Sequence, residues 1–542
     1  MYRLLFLVLF IPCICVGQLK MKKMSRGVTN SLDDERFPYV SANGKAMVYV
    51  VFDKLHNKWN LHYSTFENGD WKRGEEILPV NKNTNILYTG GYCLSPDGNT
   101  LYFTTKKFNG VGGYDIFVTH KKGNTWSPPI SLGKPLNSDV DDANPSISSD
   151  GEFLYFTRCT KLNEGTSECC KLMVAERLQG ENFKEPVALP SPINKGCESS
   201  PRILPDDRTL VFSSNRAGGK GGLDFYFVQR DNRGKWGEPK NMSFINTPED
   251  DRFVSVDVFT HFFYNDLKEA DSYDLYKVMF PEGFDPFTVI AVEGKVVDAH
   301  GAPVPSRIQV FDAETEERVH FVPTNEKGEY WLLLTEGRIY DFSIQALKGG
   351  RTFESEIMDL KVLDKFTTET RNGKMMALTR NTIMPLKALS FDDAGKYTQI
   401  SNKELDRVRR ILREDVAIKL EFLLFDKGIR KDTVKAPDLT EVIIDTVIVN
   451  KTIFEKAQVE KTQDSVVVLV DTLIPKQVQV EELKYTYHND LRNKQIKSMK
   501  TYFAENEFLS RVSYKKIEVT DPKYASIIRS SGMDKGVLIT VK

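Results

Sequence analysis

The chain has 542 residues, with 74 Lys and Arg against 75 Asp and Glu, so its formal net charge is -1. Apolar residues make up 40% of the chain and there are 35 Gly, a composition that is typical of globular proteins and excludes an intrinsically disordered chain. Because the charge is balanced, the composition shows no excess of basic residues that would indicate nucleic-acid binding. At about 100 to 200 residues per domain, the length predicts about three domains.

Residues 1–17 indicate a secretory signal. An apolar run over residues 4–14 is too short to span a bilayer, and Gly17 supplies the small residue that a cleavage site needs. Neither Cys13 nor Cys15 follows a small residue, as a lipid-modified cysteine would. No later stretch is apolar for long enough to cross a membrane. The sequence therefore predicts an exported protein that is held at a membrane by its partners.

One phrase recurs along the first half of the chain. Its clearest copies are residues 93–104, 147–157 and 203–213, and weaker ones begin at Val40 and Val254. In each copy a short strand pattern and a turn of the Asp-Gly type precede a strand rich in Tyr, Phe and Val, and a third strand follows. A fourth, outer strand is suggested by recurring Trp residues, and four strands in each period of about 50 residues are typical of a propeller blade.

The five copies predict an all-β propeller of five blades over residues 18–283, with six blades left open. Residues 18–26 are expected to add a closing strand to the last blade. The phrases at residues 95–103 and 112–117 resemble the TolB-type, WD40-like (PD40) propeller repeat of envelope proteins. This resemblance implies an envelope protein with a propeller fold.

Acidic residues stand just before the innermost strand of most repeats: Asp33, Asp34, Asp141, Asp142, Glu198, Asp250 and Asp251. We expect these side chains to gather at one mouth of the propeller, where they form a candidate partner-binding site for a cation or a basic partner. The alternative is that they hydrogen-bond the turn backbone and tie adjacent blades together. The second repeat has Tyr88-Thr89 at this place, so any acidic ring is incomplete.

The five cysteines beyond the signal are Cys93, Cys159, Cys169, Cys170 and Cys197. An exported protein meets an oxidising compartment, where disulfides persist. Cys159 ends one strand pattern and Cys169-Cys170 opens the next, which predicts a bridge from Cys159 to Cys169 or Cys170. Free buried thiols are the alternative. A zinc site is not expected, because the paired CxxC spacing is absent.

Short alternating strands replace the repeat over residues 289–383 and predict a small β-sandwich. The pairs Gly294/Val296, Gly328/Tyr330 and Gly337/Tyr340 resemble the marks of the carboxypeptidase regulatory-like domain. This resemblance implies a spacer or interaction module without catalysis.

Residues 385–542 predict an α/β domain. A helix pattern over residues 401–413 has Ser401 as its expected cap and Glu404 completing a capping box. The strand pattern that follows, a second helix and a final strand at residues 536–541 resemble the OmpA-like peptidoglycan-binding domain. An insertion at about residues 429–483 predicts either a flexible hairpin or a disordered segment.

The OmpA-like resemblance implies an Asp and an Arg that hold a diaminopimelate carboxylate by a charge-assisted pair. Asp426 and Gln495 stand at these two places, so the peptidoglycan site is vestigial: Gln keeps hydrogen bonding but lacks the charge. The resemblance therefore implies the OmpA-like fold more strongly than it implies peptidoglycan binding.

Motifs of catalysis are missing from the sequence, including Gly-x-Ser-x-Gly, the Walker loop and His-Glu-x-x-His. We expect no enzyme activity, cofactor or metal. The order of propeller, sandwich and OmpA-like domain resembles the PorE-type periplasmic proteins of type IX secretion and gliding. This resemblance implies a scaffold at the outer membrane whose partner is a secretion translocon or a gliding component. A peptidoglycan anchor and a glycan-binding or nutrient-uptake accessory remain the alternatives.

Overall fold

A computed structural model describes residues 22–24, 33–82, 85–87, 91–106, 110–162, 169–178, 180–258, 261–269, 272–392, 394–427, 429–430, 441–463, 466–488, 491–504 and 506–542. The predicted signal, residues 1–17, lies outside the described residues, as does Tyr88-Thr89. The described structure is mostly β-sheet with few helices.

Five antiparallel sheets follow one another over residues 22–279. The first contains Asp34–Val40, Ala46–Asp53, Lys58–Glu67, Asp70–Trp71 and Glu75–Glu76, and helix α1 (Leu78–Asn81) follows it. The second contains Asn85–Ile86, Tyr92–Leu94, Thr100–Lys106, Asp115–Lys122, Thr125–Trp126 and Ile130–Ser131. The third contains Asp141–Ile147, Phe153–Cys159, Lys171–Glu176 and Val187–Ala188. The fourth contains Glu198–Ile203, Thr209–Ser214, Asp224–Gln229 and Lys240–Asn241. The fifth contains Ser255–Val256, His261–Glu269, Ser272–Met279 and, from the start of the chain, Lys22–Lys23.

The pairing of Lys22 with Lys277 and of Lys23 with Tyr276 confirms the expected closing strand. It ties the start of the described chain into the last of the five sheets. In the second strands of the sheets, Tyr102, Phe103, Phe156 and Phe212 are fully buried, as their alternating Tyr and Phe pattern predicts.

The turn that joins the first two strands is built in the same way in the second and third sheets. Asp97 Oδ1 accepts the Asn99 N–H at 3.1 Å, and Asp150 Oδ1 accepts the Glu152 N–H at 2.8 Å. Gly98 and Gly151 have φ of 77° and 71°, a left-handed conformation that glycine adopts without steric cost. The Asp-Gly phrase thus fixes each turn by local chemistry.

The innermost strands of the five sheets form a closed ring. Side chains near these strands hydrogen-bond across each of the five junctions: Tyr92 Oη to Phe37 O at 2.6 Å, Asn144 N to Thr104 Oγ1 at 3.1 Å, Ser200 N to Thr157 Oγ1 at 3.1 Å, Ser213 Oγ to Asp251 O at 2.7 Å, and Val40 N to Ser255 Oγ at 2.7 Å. This is a propeller-type arrangement, in which sequential sheets leave few exposed edges.

Arg202 of the fourth sheet lies in the centre of the ring and is buried. Its guanidinium donates to the carbonyls of Val254 and Pro145 at 3.0 Å each and of Tyr92 at 3.4 Å, and lies 5.1 Å from the ring centre of Tyr39. One side chain thereby contacts all four of the other sheets. Burial lowers the pKa of Arg202 from its usual value.

The next unit is a sandwich of two four-stranded sheets. One sheet contains Val289–Val297, Glu329–Thr335, Thr367–Thr370 and Gly373–Lys374, and the other contains Ser306–Asp312, Arg318–Pro323, Arg338–Ala346 and Phe353–Leu360. The strands alternate, so that residues such as Ile290, Val292, Leu332 and Phe342 fill the space between the sheets.

The C-terminal unit has a four-stranded sheet in the order Ile383–Pro385, Lys535–Val541, Leu420–Asp426 and Val512–Lys516, of which only the last pair is parallel. Its helices are a 3-10 turn (Gln399–Ser401), α2 (Asn402–Glu414), α3 (Leu491–Tyr502), α4 (Asn506–Leu509) and α5 (Ala525–Ser531). Leu405, Val408 and Leu412 of α2 pack with Phe422 and Phe503 in one core.

The predicted capping box of α2 is wrong. Ser401 makes no side-chain cap, and its hydroxyl donates instead to the Ser390 carbonyl at 3.0 Å. Glu404 is fully buried and bonds to Ser355 of the sandwich. Glu404, which the local sequence pattern assigns to the cap, therefore contacts another unit instead.

The insertion contains a long antiparallel hairpin rather than only irregular chain. Strands Glu441–Gln463 and Val466–His488 pair along their whole length, and Ile429–Arg430 adds a short third strand. Of the two predicted forms, the described residues adopt the hairpin, which runs five residues beyond the expected end at residue 483.

Candidate functional site

The seven predicted acidic residues lie at one end of the ring, which we call the acidic rim: Asp33, Asp34, Asp141, Asp142, Glu198, Asp250 and Asp251. Asp33, Asp34, Asp141, Asp142 and Glu198 lie within one residue of the start of an innermost strand, whereas Asp250 and Asp251 lie in the loop that leads to the strand Ser255–Val256. Because the first strands of all sheets run in the same sense through the ring, their starting ends share one rim.

Two members of the acidic rim bond to the backbone of the preceding sheet. Asp141 Oδ1 accepts the Tyr114 N–H at 2.6 Å, and Asp250 Oδ1 accepts the Leu223 N–H at 2.9 Å. Asp141 also accepts the Leu162 N–H. These bonds tie the second sheet to the third and the fourth to the fifth.

The other acidic residues bond to nearby turns. Asp142 accepts the Ser138 N–H at 2.7 Å, Asp251 the Thr247 N–H at 2.7 Å, Glu198 the Gly196 N–H at 2.6 Å, and Asp33 the Lys54 N–H at 3.2 Å. Burial raises the pKa of Asp142, and it raises the pKa of Asp251 to about 6.

Four of these carboxylates pair with arginines that lie outside the predicted set of site residues. Arg36, Arg158, Arg216 and Arg252 lie 2.9, 2.6, 3.2 and 2.7 Å from Asp34, Asp142, Glu198 and Asp250, respectively. Arg36 and Arg252 follow their partners by two positions in the sequence, so these two pairs could have been predicted from the sequence. Arg158 and Arg216 are brought in by strand pairing.

The geometry favours the structural interpretation of the acidic rim over a cation site. Each of the seven carboxylates accepts from a backbone N–H group or pairs with a guanidinium group. Among the described residues, no group of three or more His, Cys, Asp or Glu side chains is placed to hold a metal ion.

The sandwich contacts the opposite end of the ring, which we call the turn rim (the turns around residues 41–45, 95–99, 148–151 and 205–208). Asp206 Oδ2 accepts the Phe287 N–H at 2.9 Å, and Thr335 Oγ1 donates to the Asp206 carbonyl at 2.8 Å. The Arg208 guanidinium lies 3.6 Å from the ring centre of Phe287. The turn rim is therefore partly covered by the sandwich.

A buried ion-pair cluster joins the sandwich to the C-terminal unit. Arg407 of α2 lies 2.6 Å from Asp341 and 2.9 Å from Glu404, and Glu404 accepts the Ser355 hydroxyl at 2.6 Å. Their side chains are 4%, 1% and 0% exposed for Arg407, Asp341 and Glu404. Burial raises the pKa of both carboxyls, and the Arg407 charge opposes that rise.

The structure contains two disulfides. Cys159 bonds to Cys170, one of the two predicted partners, and Cys169 bonds to Cys197, a bridge that the sequence analysis did not name. The second bridge links Cys169, shortly before the strand Lys171–Glu176, to Cys197, directly before the first strand of the fourth sheet. Cys93 is buried with a free thiol.

The two residues of the vestigial peptidoglycan site lie on different elements. Asp426 ends the strand Leu420–Asp426, where it is opposite Lys535. Gln495 lies in α3, with its backbone nitrogen against Gly395. Lys427, next to Asp426, pairs with Asp534 at 3.2 Å. A charge-assisted pair of the implied kind is not formed by Asp426 and Gln495, since Gln carries no charge.

Comparison with known proteins gives no family assignment. No family model matches the chain, and no curated protein matches it. Solved structures that resemble it include TolB from Acinetobacter baumannii, with 13% identity, 59% of this chain and 62% of that chain covered, and a TM-score of 0.28. They also include the GH43 endo-arabinanase from Bacillus licheniformis, with 12% identity, 47% and 97% coverage, and a TM-score of 0.30. A GH43_1 enzyme from Xanthomonas citri has 11% identity, 48% and 90% coverage, and a TM-score of 0.33. Alignments this distant do not identify a function for the chain.

None of the helices in the described part of the chain is long and apolar enough to cross a membrane.

Proposed function

We propose that the chain is an exported, non-catalytic scaffold of the cell envelope, which acts in the periplasm at the outer membrane and binds other envelope proteins. More specifically, it serves type IX secretion or gliding, with a translocon or gliding component as its partner. The support for this finer role is the order of sequence motifs that resembles the PorE-type proteins.

The proposal includes the domain organisation. Residues 18–283 form a five-bladed propeller, residues 289–383 a carboxypeptidase regulatory-like sandwich, and residues 385–542 an OmpA-like domain with an insertion. The five sheets and the ring of hydrogen bonds across their junctions support the first of these assignments.

The observation that carries the proposal is how the molecule uses its buried charges. The carboxylates of the acidic rim and of the Arg407 cluster bond to backbone N–H groups and guanidinium groups, and several of these bonds join neighbouring sheets or units. Such bonds hold neighbouring parts in fixed positions, which is what a scaffold requires. A hydrolase of this architecture would instead need carboxylates left free to meet substrate.

Two disulfides in the third and fourth sheets support the exported compartment. Disulfides persist in oxidising compartments such as the periplasm and are rare in the cytosol. Both bridges lie within residues 159–197.

We propose that the protein partner docks on the side of the acidic rim. Because the sandwich partly covers the turn rim, we assign the docking of the partner to the other end of the ring. Because arginines accompany its carboxylates, this mouth presents mixed charge rather than an acidic field. Leu55, in the loop beside Asp53 on this side, is 86% exposed and offers a point at which to perturb docking.

The test is complementation of a strain that lacks the gene. Leu55→Asp should reduce secretion or gliding, because it places a charge in the proposed contact. Val416→Asp, at an 81% exposed position in the C-terminal unit, is the matched control and should restore both. Normal secretion and gliding in the strain without the gene would refute the secretion role. If both variants restore function fully, docking at the acidic rim is wrong.

Peptidoglycan is the alternative partner. It predicts that the full-length protein sediments with purified sacculi and that Asp426→Ala abolishes this sedimentation. The scaffold proposal predicts no sedimentation above that of a control protein.

A further inference from the structure

The long hairpin of the C-terminal unit leaves one side of its first strand unpaired. On its inner side, Glu441–Gln463 pairs with Val466–His488 along its whole length. On its outer side, Ile429–Arg430 covers only residues 442–443. Within the described part of the chain, no strand pairs with the outer side beyond that point. Residues 444–463 therefore form a free sheet edge, which at about 3.3 Å per residue is about 65 Å long.

This free edge lacks the features that usually protect a sheet edge from pairing with another chain. Glu441–Gln463 contains no Pro or Gly, and its pairing in the hairpin shows no register shift, so no bulge bends the edge away. The edge on the other side of the hairpin differs, because Val466–His488 contains Pro475, which has no N–H to offer an added strand. A long, regular edge is a template for strand addition, so the edge of Glu441–Gln463 is the one suited to a partner.

The charges of the edge strand are complementary to those of a second copy of itself. When two copies lie antiparallel with Ile453 opposite its own counterpart, Lys451 stands opposite Glu455 and Asp445 stands opposite Lys461. The twofold axis of such a pair repeats each of these matches. In this register no two residues of like charge stand opposite each other, which is the arrangement that favours cross-strand pairing.

The same register uses the whole of the free edge. Ile444 stands opposite Thr462 at its two ends, and beyond Ile444 the edge is already occupied by Ile429–Arg430. Any displaced register leaves part of the edge unpaired. Between the charged positions, Val447 stands opposite Val459, a β-branched pair that packs well across strands. At about one backbone hydrogen bond per residue, the pairing forms roughly twenty bonds between the copies.

We propose that two copies of the chain associate through the free edges of Glu441–Gln463, antiparallel and centred on Ile453. The two hairpins then form one four-stranded sheet with a twofold axis at its middle. Such a sheet is expected to be more stable than the separate hairpins, because a two-stranded hairpin alone is marginally stable in water. This self-association is additional to the proposed scaffold function, and neither depends on the other.

The test is sedimentation velocity on the full-length mature protein, at concentrations from about 1 to 200 μM. We expect a reversible monomer–dimer equilibrium in which the dimer dominates at about 100 μM. A protein that stays monomeric at every concentration would overturn the proposal, since the edge would then accept no second copy.

Charge reversal on the edge tests which surface forms the dimer. Lys451→Glu should weaken the dimer about tenfold or more, because it places like charges opposite each other at both copies of the match with Glu455. Adding Glu455→Lys should restore it. Within the hairpin these two positions stand opposite Val478 and Ile474, which carry no charge, so the exchange leaves the hairpin's own pairing intact. Lys122→Glu, at an exposed position of the propeller, makes the same change in net charge and should leave the dimer unchanged.

Cross-linking tests the register. Ile453 is 39% exposed, and Thr452 beside it is also exposed. With oxidised glutathione, Ile453→Cys should give a disulfide-linked dimer, because this position meets its own counterpart across the axis. Thr452→Cys is the matched control and should cross-link far less, because its position stands opposite residue 454 instead.

Three further results would overturn the proposal. A dimer that is unaffected by Lys451→Glu, or weakened equally by Lys122→Glu, would use another surface. A double variant that remains as weak as Lys451→Glu alone would show that positions 451 and 455 do not meet. Equal cross-linking at positions 452 and 453 would exclude the register centred on Ile453.

Discussion

Replacement of Arg407 by Met tests whether the sandwich and the C-terminal unit are locked together. The change removes a 4% exposed guanidinium and leaves Asp341 and Glu404, which are 1% and 0% exposed, without its charge. Breaking a buried ion pair by removing one partner costs about 3–5 kcal/mol. We expect a loss of that size in the free energy that protects α2 from hydrogen exchange at pH 8.

The loss should be smaller at pH 5. Burial already raises the pKa of both carboxyls, and without Arg407 it rises further. A carboxyl whose pKa is higher in the folded state than in the unfolded one stabilises the fold at low pH, and this contribution is lost as the pH rises through the folded pKa. The Arg407→Met variant therefore becomes less stable relative to wild type as the pH rises from 5 to 8.

Hydrogen exchange followed by mass spectrometry over residues 402–414 measures this effect in the full-length protein. Arg413→Met is the matched control on the same helix. The Arg413 side chain is 58% exposed and lies 4.0 Å from Glu507, so its loss should cost less than about 1 kcal/mol. Equal losses for the two variants, or a larger loss for Arg407→Met at pH 5 than at pH 8, would refute the reasoning.

Three further predictions concern the propeller. Burial raises the pKa of Asp251 to about 6, so its ionisation should lower the stability of the wild type by roughly 2 kcal/mol as the pH rises from 4 to 7. Asp251→Asn should flatten this pH dependence in urea melts, and parallel curves for the two proteins would contradict the prediction. Replacing Cys159 and Cys170 together by Ala should lower the free energy of unfolding by about 2–4 kcal/mol under oxidising conditions, and an unchanged urea midpoint would argue against a stabilising bridge. Arg202→Met should lower the free energy of unfolding by about 2–4 kcal/mol, because it leaves buried carbonyls of other sheets without their donor. Arg233→Met, at an exposed position, should leave it almost unchanged. Similar melting of both variants would show that the central contacts contribute little.

The repeat made the propeller-type sheets predictable because its signals are local. The Asp-Gly turns specify left-handed positions at Gly98 and Gly151, and the alternating aromatic strands specify which side chains are buried. The Cys159–Cys170 bridge was predictable for the same reason, since Cys159 ends one strand and Cys170 directly precedes the strand that pairs with it.

Contacts between sheets and between units could not be predicted from the sequence. Tyr114 lies 27 positions from Asp141, and nothing local shows that its N–H meets that carboxylate. The Cys169–Cys197 bridge depends on where the chain meets the fourth sheet. The local sequence predicts Glu404 as a capping residue, but in the structure its carboxylate accepts a hydrogen bond from Ser355 of the sandwich.

The acidic residues were evident from their repeated spacing, but their role depended on partners in neighbouring strands and turns.

The most direct test of the scaffold proposal is to identify what the protein binds in cells. The protein would be tagged after Lys542 and isolated from detergent-solubilised envelopes after mild cross-linking, with the Leu55→Asp and Val416→Asp variants treated in the same way. The scaffold proposal predicts recovery of a secretion translocon or gliding component with wild type and with Val416→Asp, and its loss with Leu55→Asp. Recovery of only cell-wall fragments or nutrient-uptake proteins would contradict it.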